Sequence, residues 1–365
     1  MEANGSTVLQ RAIDDARRNG RHYLTISGDY LIDRAILLPS DLTLRLEDAH
    51  LRLADSCFCN IFRNEHAGEL TATDHDIAIE GAGRCILDGG NYNGLSERNS
   101  LTGSLPHISQ NNTILLANVQ GFRLTGLSII DQRWWGIDLL ACRGGLARDI
   151  SFRSSPLYCE EDGTMSNILR ERGSMEYSRI LIKNSDGIDI RRGCRDISVE
   201  NITGFTEDDG VAITGLNGRL EELYCPPGMT DIQNISVRGV RMASWCANVR
   251  LLNQGGVRLS NILIDGVFDT SASCPWMERG EHGVRIGDLH MYGERHSLPG
   301  ETDCVTVRNV YSRAQTVLRL NGSITNSLFD NINGFDGAQT VLACETDNDV
   351  SGFFTQEALW NAARS

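Results

Sequence analysis

A short phrase recurs through the central and C-terminal parts of the chain: an Asn or Asp, then apolar residues at the first, third and sixth following positions, as in NISVRGV. Related copies begin at Asn118, Asp149, Arg179, Asp196, Asn234, Asn261, Cys304 and Asn326. Each copy has the alternation of a short strand bounded by turn residues. A unit that returns roughly every 20 to 50 residues is typical of a solenoid, whose stacked units bury one continuous core.

The balance of turn residues supports the same architecture. The chain has 37 Gly and only 7 Pro, as expected where many tight corners join short strands. Helical stretches of about 10–15 residues between strands, which an alternating α/β fold requires, are almost absent. We therefore predict an all-β chain, a single-stranded right-handed parallel β-helix that forms one domain over residues 1–365. A β-sandwich or a propeller is the structural alternative.

The N-terminal residues predict a helix that covers the first coil. Residues 7–19 place apolar side chains on one helical face, with Ser6 or Thr7 as the N-cap. The face consists of Leu9, Ala12, Ile13 and Ala16. Such a helix hides the apolar end and the unpaired backbone groups of the first coil. The terminal residues 355–365 predict a second short helix, packed on the last coils.

Three longer segments interrupt the repeats, at 154–175, 216–230 and 273–300. Because repeats in a solenoid are stacked, insertions map to loops on one of its faces, and that face often binds a ligand. We expect these three loops to border the functional site.

Three aspartates have the spacing of neighbouring coils. Asp208 and Asp209 follow Asp186 by 22 and 23 residues, with the strand-like phrase DISVENI between them. Residues one coil apart lie above one another, roughly 4.7–4.9 Å apart. Carboxylates this close raise one another's pKa, so one can stay protonated as an acid while a neighbour serves as base. We predict that the three form a catalytic cluster; the alternatives are turn caps, a calcium-binding corner or a solvated surface.

The segments around these aspartates resemble glycoside hydrolase family 28, the polygalacturonases and their relatives. NSDGID (184–189) is similar to the family's NTD motif and EDDGVAI (207–213) to its DD motif, and the match is strongest over residues 178–215. The resemblance implies a right-handed β-helix that hydrolyses glycosidic bonds. It also implies Asp208 as the general acid, with Asp186 and Asp209 holding the attacking water.

The two later motifs of the family are altered. Where the family has GHG, this chain has Ala247 and Asn248 and no histidine; where it has RIK, Arg285 is kept and Gly287 replaces the lysine. The resemblance implies that the arginine and lysine of RIK hold a sugar carboxylate, so these changes weaken the expectation of a galacturonic acid substrate. His282 would supply the missing imidazole if its loop folds back.

An inverting mechanism sets a geometric condition on Asp208 and Asp209. One carboxyl protonates the leaving oxygen, and another activates a water on the opposite face of the sugar, about 6.5–9.5 Å away. Adjacent strand residues point to opposite faces, so these two share a groove only if the chain bends there. Gly210 permits such a bend.

Further acidic groups lie outside the cluster. We expect Asp189 to be structural, in a turn or paired with Arg191 or Arg192. Asp138, in the phrase WWGIDLL, fits either a structural or a catalytic role. The acidic tip EED at 160–162 is expected to be solvated, unless its loop lies over the groove.

Aromatic and cationic residues on nearby coils are candidates for holding a sugar. Of Trp134 and Trp135, one is expected in the core and the other as a stacking platform. Arg250 and Arg285, one and two coils past the aspartate pair, would bind hydroxyls or a carboxylate; the alternative is pairing with surface acids. The predicted substrate-binding residues are Arg285, Arg250, His282, Trp134, Trp135 and Asn248, with Trp245 and Trp276 as weaker candidates.

Charge and terminal composition limit the partners. The formal net charge of −14 argues against nucleic acid. The N-terminus lacks the apolar region of a secretory signal, and no run reaches transmembrane length, so we predict a cytoplasmic protein unless a leader has been removed. We expect a saccharide substrate, no cofactor, no metal and no membrane contact, and we leave homo-oligomerisation open.

The cysteines are expected to be reduced. Eleven cannot all pair, and they lack zinc-type pairs, the nearest approach being Cys57 and Cys59. A small thiol packs well inside strands. Cysteines within strand phrases are Cys142, Cys194, Cys246 and Cys304.

Taken with the resemblance, these features predict a glycosidase that acts on an α-linked oligo- or polysaccharide, which could contain uronic acid, as in the breakdown of cell-wall polysaccharides. One alternative is a β-helix lyase or epimerase, but a lyase needs a Lys or Arg base and commonly calcium, and lysine is scarce here. The other is a non-catalytic β-helix that binds sugar, which has no need of acids one coil apart.

Overall fold

The structure is a computed structural model that describes residues 4–55, 57–90, 108–132, 134–154, 157–159, 165–169, 186–216, 218–253, 256–287, 297–344 and 353–355. Nearly all strands in these ranges belong to two long sheets, A and B, and the chain passes repeatedly from one to the other. Neighbouring strands within either sheet are parallel. The result is the stacked-coil architecture that the repeated phrase predicts.

Strands are numbered along the chain. Within the described residues, sheet A comprises β1 (Tyr23–Ile32), β3 (Thr43–Leu53), β5 (Asp74–Ala82), β6 (Ile86–Asp88), β8 (Val119–Thr125), β9 (Ser128–Ile130), β11 (Arg143–Arg153), β15 (Arg195–Thr206), β17 (Ile232–Ser244), β19 (Leu259–Asp269), β21 (Thr302–Ser312), β23 (Ser327–Gly334) and β25 (Phe353–Thr355). Sheet B comprises β2 (Ile36–Leu38), β4 (Phe62–Asn64), β7 (Ile114–Ala117), β10 (Trp135–Leu140), β14 (Asp186–Arg191), β16 (Val211–Gly215), β18 (Ala247–Asn253), β20 (His282–Ile286), β22 (Thr316–Leu320) and β24 (Thr340–Cys344).

The core is made of apolar residues stacked in register between the sheets. In sheet B, Ile188 pairs with Val211, Val211 with Val249, and Val249 with Val284. All four are buried. The equivalent stack in sheet A is Ile197, Ile235, Ile262 and Val305. Because side chains alternate along a strand, the residue on either side of each core position in sheet B faces outward.

Insertions account for the uneven spacing of the coils. The long interval between β16 and β18 contains the inserted segment 216–230, which carries a short helix, α2 (Arg219–Tyr224). The segment 154–175 contains an antiparallel pair, β12 (Leu157–Cys159) and β13 (Met165–Leu169). Two 3-10 turns, Ile108–Gln110 and Ser271–Ser273, complete the elements of the described residues.

The Asn and Asp residues that open the repeated phrase occupy left-handed corners in sheet A. Asp196, Asn234 and Asn261 have φ of 59°, 57° and 55°. Asn234 Nδ2 donates to Asp196 Oδ1 (2.7 Å), and Asn261 Nδ2 donates to Asn234 Oδ1 (2.8 Å). Short polar side chains tolerate this conformation because they can hydrogen-bond locally. The phrase therefore reflects a corner of each coil as well as a strand.

The described cysteines are free thiols. Cys142, Cys194 and Cys246 are buried, as the strand phrases predict. Cys304 is exposed, so its predicted burial is wrong. It occupies a corner with φ of 54°, where the other coils have Asn or Asp, and a corner side chain points away from the core.

The predicted cap helix is confirmed as α1 (Gly5–Arg18). Leu9, Ile13 and Ala16 are buried against the first coil, and Ala12 packs at the edge of the core. The helix predicted for 355–365 lies outside the described residues except for Thr355, which ends β25. No helix in the described residues combines the length and the apolar character that a membrane span requires.

The start of α1 differs from the prediction. Its N-cap is Asn4, in a left-handed conformation and without a side-chain capping bond, rather than Ser6 or Thr7. Ser6 lies in the first turn, and its hydroxyl oxygen accepts the backbone N–H groups of Asp33 and Arg34 at 2.9 and 3.2 Å. That hydroxyl ties the helix to the first coil instead of capping it.

Candidate active site

The three aspartates of the predicted cluster come together where strands of sheet B begin. Asp186 opens β14, and Asp209 lies one coil further on, two residues before β16. The backbone N–H of Gly187 donates to the carbonyl of Asp209 (2.9 Å), and the N–H of Asp209 donates to Asp186 Oδ1 (2.9 Å). Carboxylate oxygens of Asp208 and Asp209 lie within 4.8 Å of each other.

The bend that this arrangement requires is present. The chain bends at Glu207 and Asp208, ahead of the strand. The carbonyl of Asp208 accepts bonds from Ser244 Oγ (2.5 Å) and Thr206 Oγ1 (2.9 Å), which fix the bend. Asp208 is left partly exposed, whereas Asp209 is buried.

Gly210 lies in a bend, as predicted, but the bend does not depend on the conformational freedom of glycine. It is not among the residues with positive φ, so no turn depends on its freedom there. A Cβ at this position would lie 2.3 Å from Met242 Sδ and 2.7 Å from the carbonyl oxygen of Asn248. Glycine is needed because neighbouring coils approach closely beside the aspartates.

Asp209 is anchored by a cation and a backbone donor. Arg250 Nη1 lies 3.0 Å from Asp209 Oδ2, and the N–H of Ala247 donates to Asp209 Oδ1 at 3.1 Å. Burial raises the pKa of Asp209, and the charge of Asp208 adds to this, while Arg250 opposes it. Arg250 therefore keeps a buried carboxyl closer to its ionised form.

Asp186 and Asp189 are buried carboxyls three residues apart in β14, and each affects the pKa of the other. Burial, and then the charges of Asp189, Asp208 and Asp209, raise the pKa of Asp186 well above its usual range. Burial raises the pKa of Asp189 to about 7 despite the charge of Arg191. This pair therefore retains a proton at pH values where free aspartates are ionised.

An ion-pair chain leads from Asp189 to the inserted segment 216–230. Arg191 Nη1 lies 3.3 Å from Asp189 Oδ1, so the predicted pairing of these two residues is confirmed. Arg191 Nη2 lies 2.7 Å from Oε1 of Glu221 in α2, and both side chains are buried. The sequence analysis missed Glu221, because no motif marks its segment and only a distant contact reveals its role.

Asp138 belongs to the same network. It pairs in register with Asp189, is fully buried, and accepts a bond from Asn112 Nδ2 at 2.8 Å. Burial raises the pKa of Asp138 well above its usual range, against the opposing charge of Arg191. Of the two roles open to it, this burial favours the structural one.

Arginines continue the outward face of sheet B beyond the aspartates. Arg250 pairs in register with Arg285, as the common face of the prediction requires. Arg285 pairs in turn with Arg319, which the sequence analysis missed. Arg285 and Arg319 are partly exposed. Arg319 could have been predicted by extending the strand alignment of Arg285 and Ile286 by one coil, because it occupies the position equivalent to Arg285 there.

The residues at the altered motifs lie on the same coils as predicted. Ala247 pairs with His282, so the histidine lies one coil beyond the position of the missing imidazole. His282 is the first residue of β20 and is buried, and its segment does not fold back. Asn248 is also buried, and its amide donates to the carbonyl of Met242 at 2.7 Å. That bond indicates a structural role for Asn248.

The two adjacent tryptophans differ in exposure. Trp134 precedes the strand with φ of 52° and is buried, while Trp135 is partly exposed and pairs in register with Asp186. The guanidinium of Arg191 lies 4.5 Å from the centre of the Trp135 ring. Trp135 is therefore the one positioned to contact a ligand, on the coil just before Asp186.

The remaining candidates lie apart from the cluster or outside the described residues. Trp245 is buried edge-on against Phe205, with ring centres 6.1 Å apart. Trp276 is exposed. The acidic tip at 160–162 lies outside the described residues.

One group of potential cation ligands lies in the cluster. Carboxylate oxygens of Asp208 and Asp209 and the sulfur of Cys246 are all within 4.8 Å of one another. Calcium takes about six to eight oxygen ligands and does not favour a thiol. Asp209 is already bonded to Arg250. These three residues therefore fit a calcium corner poorly, and we derive no chemistry from one.

The chain matches no protein-family model and no curated protein. Solved structures do match. The polygalacturonase from Erwinia carotovora ssp. carotovora superposes with a TM-score of 0.56 at 13% identity, over 98% of this chain and 94% of its own. The chain has a polygalacturonase-like fold.

A tailspike protein mutant of E. coli bacteriophage HK620 also shares this polygalacturonase-like fold, with a TM-score of 0.52 at 13% identity. The match covers 98% of this chain and spans 63% of the tailspike's length. The predicted right-handed parallel β-helix with an N-terminal cap is confirmed. Identity at this level shows the shared fold and carries no activity with it.

Proposed function

We propose that the chain is a glycoside hydrolase that cleaves an α-linked oligo- or polysaccharide with inversion. The observation that carries the proposal is the contact between Asp186 and Asp209 on adjacent coils, with Asp208 beside them and partly exposed. Hydrolysis needs a protonated carboxyl and a carboxylate in one groove, ordinarily about 6.5–9.5 Å apart for inversion. The oxygens of Asp208 and Asp209 lie within 4.8 Å of each other, so inversion rests on the resemblance to family 28 and not on this spacing. The fold that the chain shares with the Erwinia polygalacturonase is compatible with this reaction class.

We assign the roles from exposure and bonding. Asp208 reaches the groove and gives its proton to the glycosidic oxygen as the bond to the anomeric carbon breaks. A water attacks that carbon from the opposite face, and Asp209, aligned by Arg250, takes its proton. Asp186, kept neutral with Asp189, holds the water without adding a third negative charge. The resemblance to family 28 implies the same acid.

The outward arginines support an anionic sugar as substrate. Arg250 is committed to Asp209, so we assign the contact with a carboxylate to Arg285 and Arg319, which lie on the next two coils. Guanidinium groups bind carboxylates through two parallel hydrogen bonds. Arg285 is the arginine retained from the RIK motif, and Arg319 adds a second guanidinium one coil further on, so uronic acid stays within the proposed substrate class.

The first test is Asp208→Asn, assayed by release of reducing ends from α-linked polysaccharides, polygalacturonate among them. Loss of a general acid lowers turnover by about 100- to 10,000-fold. Asp14→Asn, on the exposed face of α1, is the control and should keep the wild-type rate. Wild-type turnover in a folded Asp208→Asn protein would show that the catalytic assignment is wrong.

The same variant separates a hydrolase from the two alternatives. A hydrolase variant should still bind the oligosaccharide in titration calorimetry, because Asp208 supplies a proton rather than most of the contacts. A lyase would release unsaturated uronate products with ultraviolet absorbance. A sugar-binding module would bind the oligosaccharide equally well with and without the Asp208→Asn substitution, and neither form would release reducing ends.

A further inference from the structure

The outward face of sheet B is covered on one side of the candidate active site. Along the column of paired outward residues, Asp138 is 0% exposed, Asp189 1% and Arg250 9%. Arg285 and Arg319, further along the same column, are partly exposed. Accessibility thus increases in one direction, from the coils before Asp186 toward those after Asp209.

Segment 216–230 provides the cover. Tyr224 and Cys225 pack on Leu115, Ala117 and Leu140, which lie on the two coils before β14. These three side chains are all 1% exposed or less. Tyr224 OH also lies 3.1 Å from Ser109 Oγ, in the approach to β7. We call residues 216–230 the roof segment.

The roof segment is held down by buried polar contacts. Glu221 Oε1 accepts from Nη2 and Nε of Arg191 at 2.7 and 3.1 Å. Cys225 Sγ donates to the carbonyl of Arg192 (3.3 Å), and Arg192 Nε donates to the carbonyl of Met229 (3.1 Å). Separating Glu221 from Arg191 would leave two buried charges without their partners, so the cover is a fixed wall.

Trp135 is a partly exposed residue that borders this wall. It pairs in register with Asp186, packs partly against the cluster under the roof segment and remains partly exposed. A polysaccharide that lay across the aspartates and continued past Trp135 would meet Tyr224, which belongs to the apolar cluster against which Trp135 packs. A chain that ended at Trp135 would not.

We propose that the groove is closed beside Trp135 and that the protein is exo-acting, taking one end of a saccharide chain against the roof segment. This rests on the proposed function and specifies its substrate as chain ends. The chain extends from the aspartates toward Arg285 and Arg319. Each cleavage therefore releases a product of constant size.

The test uses polygalacturonate, or another polysaccharide of the activity panel that the wild-type protein cleaves. From the earliest time points we expect a single short product, and viscosity should fall slowly relative to the reducing ends formed. Oligosaccharides labelled at the reducing end identify which end enters, according to whether the label leaves with the first product or stays on the shortened chain. A mixed ladder of early products would overturn the proposal while leaving the hydrolase assignment intact. Failure to cleave any polysaccharide would remove the hydrolase assignment and this inference together.

Variants of the roof segment test the cause. Glu221→Gln and Tyr224→Ala loosen the wall, so internal cleavage and a mixed product ladder should appear. Glu222→Gln, on the exposed face of the same helix, is the matched control and should keep the single product. Circular dichroism checks that each variant is folded. If folded Glu221→Gln and Tyr224→Ala proteins both keep the single product, the wall is not what limits the substrate.

Discussion

Arg250 is the residue on which the charge balance of the candidate active site depends. Four buried or partly buried aspartates lie on two coils. Arg191 contacts Asp189 on the first coil, and Arg250 contacts Asp209 on the second. Asp186 differs from Asp209 in that burial and the neighbouring carboxylates raise its pKa well above the usual range. Neighbouring carboxyls with different partners can thus take different roles.

We predict that Arg250→Met lowers the stability of the fold by about 3–5 kcal/mol, because it leaves Asp209 buried without its partner. The pKa of Asp209 should rise further, so the acid limb of the pH–rate profile moves to higher pH. The control is Arg238→Met, whose ion pair with Asp265 is exposed and worth about 0–1 kcal/mol. Chemical denaturation and the pH profile measure the two effects; equal losses in both variants would contradict the prediction.

At the scale of elements, the left-handed corners explain why the repeated phrase was visible in the sequence. The coils turn in a left-handed conformation at Asp196, Asn234 and Asn261, and few residue types tolerate that conformation. Such a local restriction can be recognised in the sequence without knowing the fold. The cap helix was predictable for the same reason, since one face of α1 is apolar over three turns.

We predict that Asn234→Ala destabilises the protein by roughly 2–3 kcal/mol. Alanine loses two corner hydrogen bonds and adopts φ near 57° at a cost of about 1–2 kcal/mol. Asn234→Gly loses the same bonds without the conformational cost, so it should lose about 1 kcal/mol less. Denaturation of both variants checks the order. A glycine variant as unstable as the alanine variant would show that the corner is not strained.

Contacts between distant segments could not be predicted in this way. Glu221 meets Arg191 through an inserted segment whose path no local pattern specifies. Trp134 was expected within a strand, yet it precedes β10 in a left-handed conformation. The aspartate cluster could be predicted because one coil without an insertion has a nearly fixed length of chain. The packing of an insertion depends on the assembled surface, so it could not be predicted.

At the scale of the whole molecule, buried carboxyls determine how stability depends on pH. Asp138, Asp186 and Asp189 have a raised pKa in the folded state, Asp189 to about 7. The folded protein therefore binds more protons than the unfolded chain above about pH 4, and its stability falls as pH rises toward 7. Asp265 and Asp303, whose pKa is lowered, lose their contribution only below about pH 4.

We predict that the free energy of unfolding is larger at pH 5 than at pH 7, and that Asp138→Asn reduces this difference. Asparagine can still accept the bond from Asn112 but does not ionise. Asp14→Asn, at an exposed site, should leave the difference unchanged. Urea denaturation at both pH values provides the measurement. Stability that rises between pH 5 and 7 in the wild-type protein would contradict this account.

The strict order of the strands also has a mechanical consequence. Among the described residues, each strand of sheet B between β2 and β24 is hydrogen-bonded to the strands of the coils directly before and after it, so a force applied at the C-terminal end acts on one coil at a time. We expect the chain to unravel in steps, with β24 and β22 detaching before β20. The coils that carry Asp186 and Asp209 are remote from that end, and α1 covers the opposite end. The groove should therefore outlast the loss of the terminal coils under tension.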